Sequence, residues 1–391
     1  MTNQSPPPVR AVGIGVGAAL VTGVSLGNLG ANVMPVVLPG VADRFQLSNT
    51  AVGLIATMQL LATALATLTF ASRAARPGRV RVARLGITTT AVGFALAFSA
   101  SDLAVLSLGN ILAGAGLGVA YAAGTAAIAV TGDSDRSSAV AVVGGTIVLA
   151  ALVIALPEAN AAWGDQAGFA VMAVCCVPAF WLVRFLPDAA EQGAEPTSRA
   201  PVSVMFLLAV ALLGASDQGA WSYSAILGER EAGMSADSVS VVLSIASVVS
   251  LAGVGIGAFT VRRAGRLSSV AVLIGVEALA KLVIAAVPWW PSYVAAAMIW
   301  QICFVGLLVQ LLAVAASADS SGRWVAASGG ALAIGTGLGP APSGWFLDVL
   351  GAEAFGLVLA VTTAVAAVPV LRTIRQLELG CDRPLKVGVR Q

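Results

Sequence analysis

The chain contains no histidine, and only 10% of its 391 residues are charged. Histidine is the side chain that most often binds metals and carries protons near neutral pH, so proton chemistry here would have to use carboxylates. Soluble domains carry about 25% charged residues. With 58% hydrophobic residues, the chain has more apolar surface than a water-soluble fold of this length could bury, which predicts a membrane protein.

Motifs for nucleotide binding and covalent catalysis are also missing from the sequence. No Gly-rich loop ends in Lys-Ser or Lys-Thr after a strand pattern, which argues against a pump driven by ATP on this chain. Without histidine, a nucleophile and its base would need an unusual Ser–Lys or Ser–Asp arrangement. The net charge of +2 is too small to indicate nucleic acid. We therefore predict a non-enzyme without a metal site, a cofactor or a nucleic-acid partner.

Twelve apolar runs are each long enough to cross a bilayer as a helix. A bilayer core of about 30 Å requires roughly 20 helical residues, and the runs lack the alternating pattern of barrel strands. The sequence therefore predicts an all-α integral membrane protein with twelve transmembrane helices. The predicted spans are about 11–38, 50–72, 81–100, 103–130, 138–157, 166–186, 202–227, 238–261, 267–287, 292–315, 324–347 and 352–372.

Basic residues are concentrated in one set of alternate loops. Of the 21 Lys and Arg residues, 18 lie in the loops and termini on one side, two lie on the other side and one lies within a span. Basic loops stay in the cytoplasm because they resist translocation. The sequence therefore predicts a multi-pass protein of the cell inner (plasma) membrane with both termini in the cytoplasm.

A polar segment divides the chain into two similar halves. Residues 187–200 form the longest polar stretch between spans and predict a flexible cytoplasmic linker. We expect an N-terminal six-helix bundle at 1–186, a C-terminal six-helix bundle at 201–373 and a cytoplasmic tail at 374–391. Short motifs such as RPGR and RAGR recur at equivalent places in the two halves. Such a duplication favours a substrate site near mid-membrane between the halves.

Four segments give the chain a resemblance to the major facilitator superfamily over essentially its whole length. Residues 38–53 resemble the passage from span one to span two, and residues 71–86 lie where the family has its Gly-x-x-x-Asp-Arg-x-Gly-Arg-Arg loop. Residues 110–118 lie on the span-four pattern Arg-x-x-x-Gly-x-Gly, and residues 323–344 resemble span eleven of efflux members. The resemblance implies two six-helix bundles, with spans one, four, seven and ten lining a central cavity.

The sequence departs from the family patterns at three places. Ala71 and Ala75 occupy the Gly and Asp positions of the loop after span two. Asn110 stands in place of the buried Arg of span four. Span five lacks the Gly-Pro-x-x-Gly-Gly pattern of proton-coupled drug antiporters. The motifs most closely tied to proton coupling and gating are therefore eroded, whereas the features that indicate transport remain.

Three charged residues lie inside predicted spans, where each costs several kcal/mol unless it is paired or faces water. Asp217 lies in span seven, where the resemblance implies a cavity and an acid could exchange a proton or bind a cationic group. The alternative for Asp217 is a helix cap or a hydrogen bond across the bundle. Glu277 and Lys281 are spaced i, i+4 in span nine. This spacing predicts a neutralised structural pair or, alternatively, a second proton site at Glu277.

Polar uncharged and aromatic side chains cluster at a similar depth in the predicted spans. Amides offer donors and acceptors that suit a neutral polar or zwitterionic ligand, and indole rings can stack on a ligand. Interhelical hydrogen bonding is the alternative for each of them. The predicted substrate-binding residues are Asp217 together with Asn28, Asn32, Gln59, Asn110, Gln218, Trp221, Trp300 and Gln301.

Two segments are predicted to take part in gating. Arg76, Gly78 and Arg79 match the family's loop after span two and are expected in a tight turn. The two arginines would hold the topology and touch anionic lipid or, as the resemblance implies, latch onto the second half. Gly339 and Pro340 lie in span eleven, where proline removes a backbone donor and bends the helix.

These features together predict a secondary active transporter that works by alternating access. We expect a monomer that exports a small organic molecule in exchange for protons through Asp217, with export resting on the resemblance to efflux members. Uptake or facilitated diffusion of a small polar metabolite is the alternative within transport. A transporter-like membrane receptor or scaffold is the alternative from another class.

Overall fold

The computed structural model describes residues 13–188, 202–319 and 322–381, and these residues are almost entirely helical. The predicted linker residues 189–200 and tail residues 382–391 lie outside the described residues. A short 3-10 helix, Val183–Phe185, follows α6. The α-helices are α1 (Ile14–Phe45), α2 (Asn49–Ala74), α3 (Arg79–Ser99), α4 (Leu103–Ala129), α5 (Ser134–Trp163), α6 (Ala167–Leu182), α7 (Val204–Arg230), α8 (Ala236–Val249), α9 (Ala252–Ala286), α10 (Trp290–Ala318), α11 (Arg323–Leu338) and α12 (Pro340–Cys381).

Short polar side chains mark where five of the helices begin. Each accepts a hydrogen bond from a backbone N–H group in the first turn, which would otherwise lack a partner inside the helix. The turns between helices are therefore encoded locally, by Ser or Asp directly before an apolar run. The capping residues are Ser48, Asp102, Asp133, Ser203 and Ser235.

Ten helical segments of the described chain are long and apolar enough to cross a membrane. The predicted count of twelve is not confirmed, because α8 has only 14 residues and residues 323–379 count as a single apolar segment. The helical backbone is interrupted inside α9 at Gly265 (φ 78°) and inside α12 at Gly351 (φ 79°). Both glycines fall between predicted spans, after the eighth and after the eleventh.

The helices pack in a pattern that repeats along the chain. In the first half α1 packs on α5, α3 on α4 and α3 on α6, and in the second half α7 packs on α11, α9 on α10 and α9 on α12. The two halves meet where α1 contacts α7, where α5 contacts α8 and where α2 contacts α11 and the beginning of α12. This arrangement leaves α1 and α7 next to each other at the centre of the molecule.

Large apolar side chains cover much of the outer surface. Leu65, Val174 and Leu279 are 59%, 67% and 60% exposed, respectively, and lie in three different helices. A soluble monomer rarely exposes contiguous apolar patches of more than a few hundred Å². The outward-facing helix surfaces therefore suit contact with lipid chains, as the composition predicts.

Glycines allow α7 and α11 to approach each other closely. A methyl group added at Gly335 would overlap the carbonyl oxygen of Ala211, and one added at Gly339 would overlap that of Ala215. Gly114 of α4 meets the backbone of Gln59 in α2 in the same way. Small residues at helix interfaces increase van der Waals contact between backbones in membranes, where the hydrophobic effect does not drive helix association.

Replacing Gly335 with alanine should lower the thermal unfolding midpoint of the purified protein in detergent. The added methyl group forces α7 and α11 apart, and overpacking of this kind costs about 1–3 kcal/mol. Gly255→Ala is the matched control, because a methyl group there meets no atom within 4 Å. Equal unfolding midpoints for the two variants would contradict the close contact between α7 and α11.

Candidate functional site

A cavity of about 210 Å³ lies between α1 of the first half and α7, α10 and α11 of the second half. Its wall combines amide groups, two indole rings and one carboxylate with apolar side chains. Seven of the nine residues predicted to bind substrate line this cavity, and they are Asn28, Asn32, Asp217, Gln218, Trp221, Trp300 and Gln301.

The other two predicted binding residues, Gln59 and Asn110, do not line this cavity. Gln59 is buried in α2, where its backbone meets Gly114 of α4 and its side chain lies close to Gly30 of α1. Asn110 is buried in α4, and its amide nitrogen donates to the carbonyl of Leu106 at 2.9 Å. The structure buries both side chains away from the cavity, because Gln59 lies against α1 and α4 of its own half and Asn110 bonds to its own helix.

The three charged residues of the predicted spans form one buried cluster behind the cavity. The Lys281 Nζ atom lies 2.8 Å from Asp217 Oδ1 and 2.6 Å from Glu277 Oε1. Lys281 and Glu277 are fully buried, whereas Asp217 is 6% exposed and lines the cavity. The expected pair on α9 is therefore extended by Asp217 on α7, which connects it to the cavity.

Two hydroxyl groups complete the surroundings of Lys281. Its Nζ atom lies 3.3 Å from Ser216 Oγ on α7 and 3.2 Å from Thr363 Oγ1 on α12. The two hydroxyl oxygens are 3.0 Å apart. Buried charges are tolerated when they are paired and hydrogen-bonded. The ammonium group is thus fully satisfied by oxygen atoms from three helices.

The two carboxyl groups are less evenly satisfied. Trp300 Nε1 on α10 donates to Asp217 Oδ1 at 3.0 Å. Glu277 Oε2 has no hydrogen-bond partner among the described residues. With all three groups ionised the cluster carries one excess negative charge, and burying such a charge costs several kcal/mol.

Hydrogen bonds from α7 close the cavity against α1. Gln218 Nε2 donates to the carbonyl of Ala31 at 3.1 Å, and Trp221 Nε1 donates to the carbonyl of Asn32 at 3.0 Å. Helix α7 is continuous from Val204 to Arg230. The alternative in which Asp217 caps a break in this helix is therefore wrong.

Asp348 links the two halves by hydrogen bonds on one side of the cavity. Its carboxylate accepts hydrogen bonds from the backbone N–H groups of Asn49 at 3.2 Å and Thr50 at 2.7 Å, and from both of their side chains. These residues form the first turn of α2. Tyr223 of α7 also lies within hydrogen-bonding distance of the carbonyls of Asn49 (2.8 Å) and Pro340 (3.1 Å). We call this side of the molecule, which contains Asn49, Thr50, Tyr223 and Asp348, the Asp348 end.

The predicted gating residues lie in two separate places. Gly78 adopts φ 97° in the turn before α3. Its N–H group donates to Asp188 at 2.8 Å, as does that of Arg79 at 2.9 Å. The buried Arg79 side chain donates to the carbonyls of Ala74 and Pro187, which belong to its own half.

The remaining gating residues differ in their surroundings. Arg76 is exposed. Gly339 and Pro340 lie at the junction of α11 and α12, where the carbonyl of Pro340 accepts a hydrogen bond from the Tyr223 hydroxyl. The carbonyl of Pro340 also lies close to Gly53 of α2, in the other half, whereas the backbone N–H of Arg76 donates within its own turn, to Arg73.

No local pattern in the sequence predicts Asp348 as a link between the halves, because its partners Asn49 and Thr50 lie almost 300 positions away. The pairing of Asp217 with Lys281 was also missed, because the two residues are 64 positions apart on different helices. One signal was available: Asp217, Glu277 and Lys281 are the charges that lie deep inside predicted spans, so a shared cluster would compensate all three at once.

Comparison with known proteins places these observations in context. The Major Facilitator Superfamily family model matches residues 18–321. No match was found among the curated proteins.

Several solved structures share the fold at low sequence identity. A bacterial homolog of the human lysosomal transporter Spinster, in an inward-facing and unoccupied conformation, is 15% identical, with 96% of this chain and 99% of that chain covered and a TM-score of 0.71. The nucleoside transporter NupG is 12% identical, with coverages of 92% and 99% and a TM-score of 0.72. The peptide transporter POT is 12% identical, with coverages of 93% and 94% and a TM-score of 0.74.

Replacing Lys281 with methionine should destabilise the protein strongly, because Asp217 and Glu277 would then be buried without their cation. Breaking a buried ion pair costs about 3–5 kcal/mol. The triple variant Lys281→Met, Asp217→Asn, Glu277→Gln should recover most of that loss, since no buried charge remains. Thermal unfolding in detergent measures both effects. If Lys281→Met were as stable as the wild type, the buried ion-pair cluster would be contradicted.

Proposed function

Because the chain belongs to the Major Facilitator Superfamily, we propose that it is a secondary active transporter that moves a small organic molecule across the membrane by alternating access. The observation that carries this proposal is the cavity between the halves, with an ionisable cluster directly behind it. Asp217 belongs both to the cavity wall and to the cluster. A change in the charge of the cluster therefore changes the electrostatic potential that acts on a molecule in the cavity.

The proposed topology has twelve crossings in two bundles of six helices. A straight helix over residues 323–379 would be about 85 Å long at 1.5 Å per residue, against a bilayer core of about 30 Å. We therefore place span boundaries at the backbone breaks at Gly351 and Gly265. The bundles are residues 1–186 and 201–373, with residues 187–200 as the linker and 374–391 as a tail.

The proposed orientation places the Asp348 end outside the cell. The opposite end carries most of the basic residues, including Arg73, Arg76, Arg262 and Arg263, and basic loops remain in the cytoplasm. We therefore propose a protein of the inner (plasma) membrane with both termini in the cytoplasm. The hydrogen bonds between the halves described above lie on the Asp348 side of the cavity or at its level, which supports an inward-facing state as part of this proposal.

The proposed energy source is the proton gradient. An excess negative charge on the cluster is relieved when Asp217 or Glu277 takes up one proton, and the Lys281 ammonium can then redistribute its hydrogen bonds between the two carboxyl groups. The direction that we propose is export, in which a proton enters as the substrate leaves. Uptake of a polar metabolite by the same cavity is the alternative, and it is favoured by the amide groups of the wall.

Asp217→Asn should abolish transport driven by a pH gradient while leaving expression and folding intact, because Lys281 and Glu277 remain as a neutral pair. The measurement is substrate-dependent proton flux in proteoliposomes with an internal pH dye, using a compound selected by thermal-shift screening of the wild type. Glu353→Gln is the matched control, because Glu353 is an exposed acid outside the cavity. Wild-type flux in Asp217→Asn would remove this residue from the coupling mechanism.

Asp348→Ala should shift the protein towards conformations that are open at the Asp348 end. It removes four hydrogen bonds to the first turn of α2, including charge-assisted bonds to two backbone N–H groups, and each bond to a charged group contributes about 1.5–3 kcal/mol. Spin labels on cysteines at positions 43 and 237, in a chain whose native cysteines are replaced, should show a larger population at long distances.

Glu353→Ala serves as the control for this experiment, since it removes an exposed acid from the same helix. An unchanged distance distribution in Asp348→Ala would show that other contacts hold the Asp348 end closed.

A further inference from the structure

We propose that the cavity binds a compact organic cation with at least one N–H donor, and that this cation replaces the proton held by the Asp217–Glu277–Lys281 cluster. The inference rests on the proposed transport function and names the class of substrate. It follows from three features of the cavity: which hydrogen-bonding groups are already occupied, what charge lies behind the wall, and what shape the apolar part has.

Both indole N–H groups of the cavity wall are engaged with the protein, as is the amide nitrogen of Asn28, Asn32 and Gln218. The two indole N–H groups, of Trp221 and Trp300, donate to the carbonyl of Asn32 and to Asp217 Oδ1. The amide nitrogens of Asn28 and Asn32 donate to carbonyls one turn earlier in α1, at 3.0 and 2.9 Å. An indole has one donor only, so neither tryptophan can donate to a ligand without breaking a bond within the protein.

The acceptors of the same wall are largely unused. Among the described residues, no backbone or hydroxyl donor reaches Asp217 Oδ2, and none reaches the side-chain oxygens of Asn32 or Gln218. A polar group in a desolvated site binds tightly only when its partner is complementary. A ligand that presents donors matches the free oxygen of Asp217, whereas a carboxylate or phosphate would be repelled by that carboxylate.

The charge behind the wall also favours a cation. On α9 the charged groups that face Asp217 are Lys281 and Glu277. On α10 the neighbouring groups are the indole N–H of Trp300, next to Asp217, and the thiol of Cys303, on the Glu277 side. On α12 the facing group is the hydroxyl of Thr363, and on the α1 side the facing groups are the uncharged amides of Asn28 and Asn32. None of these neighbours adds a positive charge, so the excess negative charge remains.

The apolar part of the cavity limits the size of the ligand. The rings of Trp221 and Trp300 lie edge to face, with centroids 6.0 Å apart, and Phe304 and Leu332 complete this side of the wall. Aromatic faces attract cations within about 6 Å. The volume of about 210 Å³ lies below the roughly 300–1,000 Å³ of pockets for drug-sized molecules. A small ammonium compound with one apolar or aromatic body fits these dimensions.

The exchange leaves the total charge of the site unchanged. With the cavity empty, one proton bound to a carboxyl group offsets the excess charge. When the ammonium ion enters, its N–H groups donate to Asp217 Oδ2 and the amide oxygens, and the carboxyl proton passes to water in the cavity. One positive charge enters and one leaves, so the buried cluster is never left with an uncompensated charge.

The test uses three probes of similar size on the purified full chain in detergent: 2-phenylethylammonium, 2-phenylethanol and phenylacetate. We expect only the ammonium compound to raise the thermal unfolding midpoint, with one proton released per molecule bound in weakly buffered solution. Its apparent affinity should rise with pH by up to about tenfold per unit, the limit for exchange of one proton. The N,N,N-trimethyl derivative, which has no N–H donor, should bind at least several-fold more weakly.

Stabilisation by phenylacetate or by 2-phenylethanol equal to that by the ammonium compound would overturn the proposal, as would no stabilisation by any probe or binding without proton release. Asp217→Asn should lose both the stabilisation and the proton release, whereas Glu353→Gln should keep both. Proton flux in proteoliposomes separates this inference from the proposed function. If a neutral or anionic compound drives proton flux that Asp217→Asn abolishes, the proposed transport function is supported, and the proposal that the substrate is a cation is wrong.

Discussion

The structure depends on the compensation of charge in its interior. Lys281 is fully buried in the second half of a chain whose outer surface is apolar, and it is tolerated there because oxygen atoms of α7, α9 and α12 surround its ammonium group. The same contacts tie three helices together at one point. A cation with two carboxylates is also an arrangement that is neutral with one added proton and negatively charged without it. Stability and the capacity to switch therefore have the same physical origin.

Asp217 connects this cluster to the rest of the molecule. On one side it contacts Lys281, and on the other it lines the cavity between the halves. Gln218, the next residue of α7, and Trp221, one helical turn further along, donate to carbonyl groups of α1. A change in the charge around Asp217 thus acts on the helix that holds the two halves together. Alternating access requires such a connection, because a ligand or proton shifts an equilibrium only through different contacts in the two states.

Much of the fold follows from the sequence alone. Apolar runs, Ser and Asp caps and basic loops predict the helices, their ends and their orientation. The glycines at 265 and 351 lie between predicted spans, but the backbone remains close enough to helical around them that ten apolar segments, not twelve, can be counted. Seven predicted residues meet at the cavity because they share a depth and lie on helices that face the centre.

The remaining features arise from tertiary contacts that no local pattern encodes. Gln59 and Asn110 have the same predicted depth and chemistry as the cavity residues but are buried outside the cavity, because the rotation of a helix is set by packing. Spacing revealed the contact between Glu277 and Lys281, whereas their approach to Asp217 depends on how α7 and α9 pack. Asp348 caps α2 across almost 300 residues of sequence, a contact that appears only once the halves are assembled.

The central claim is that the cluster holds one exchangeable proton. Infrared difference spectroscopy of the purified protein tests it most directly, because a protonated carboxyl group in an apolar site gives a carbonyl band separate from those of carboxylates. The account predicts a band for one protonated carboxyl group that disappears when an ammonium ligand binds and is absent or shifted in Glu277→Gln. A wild-type spectrum with no such band at any pH at which the protein is folded would contradict it.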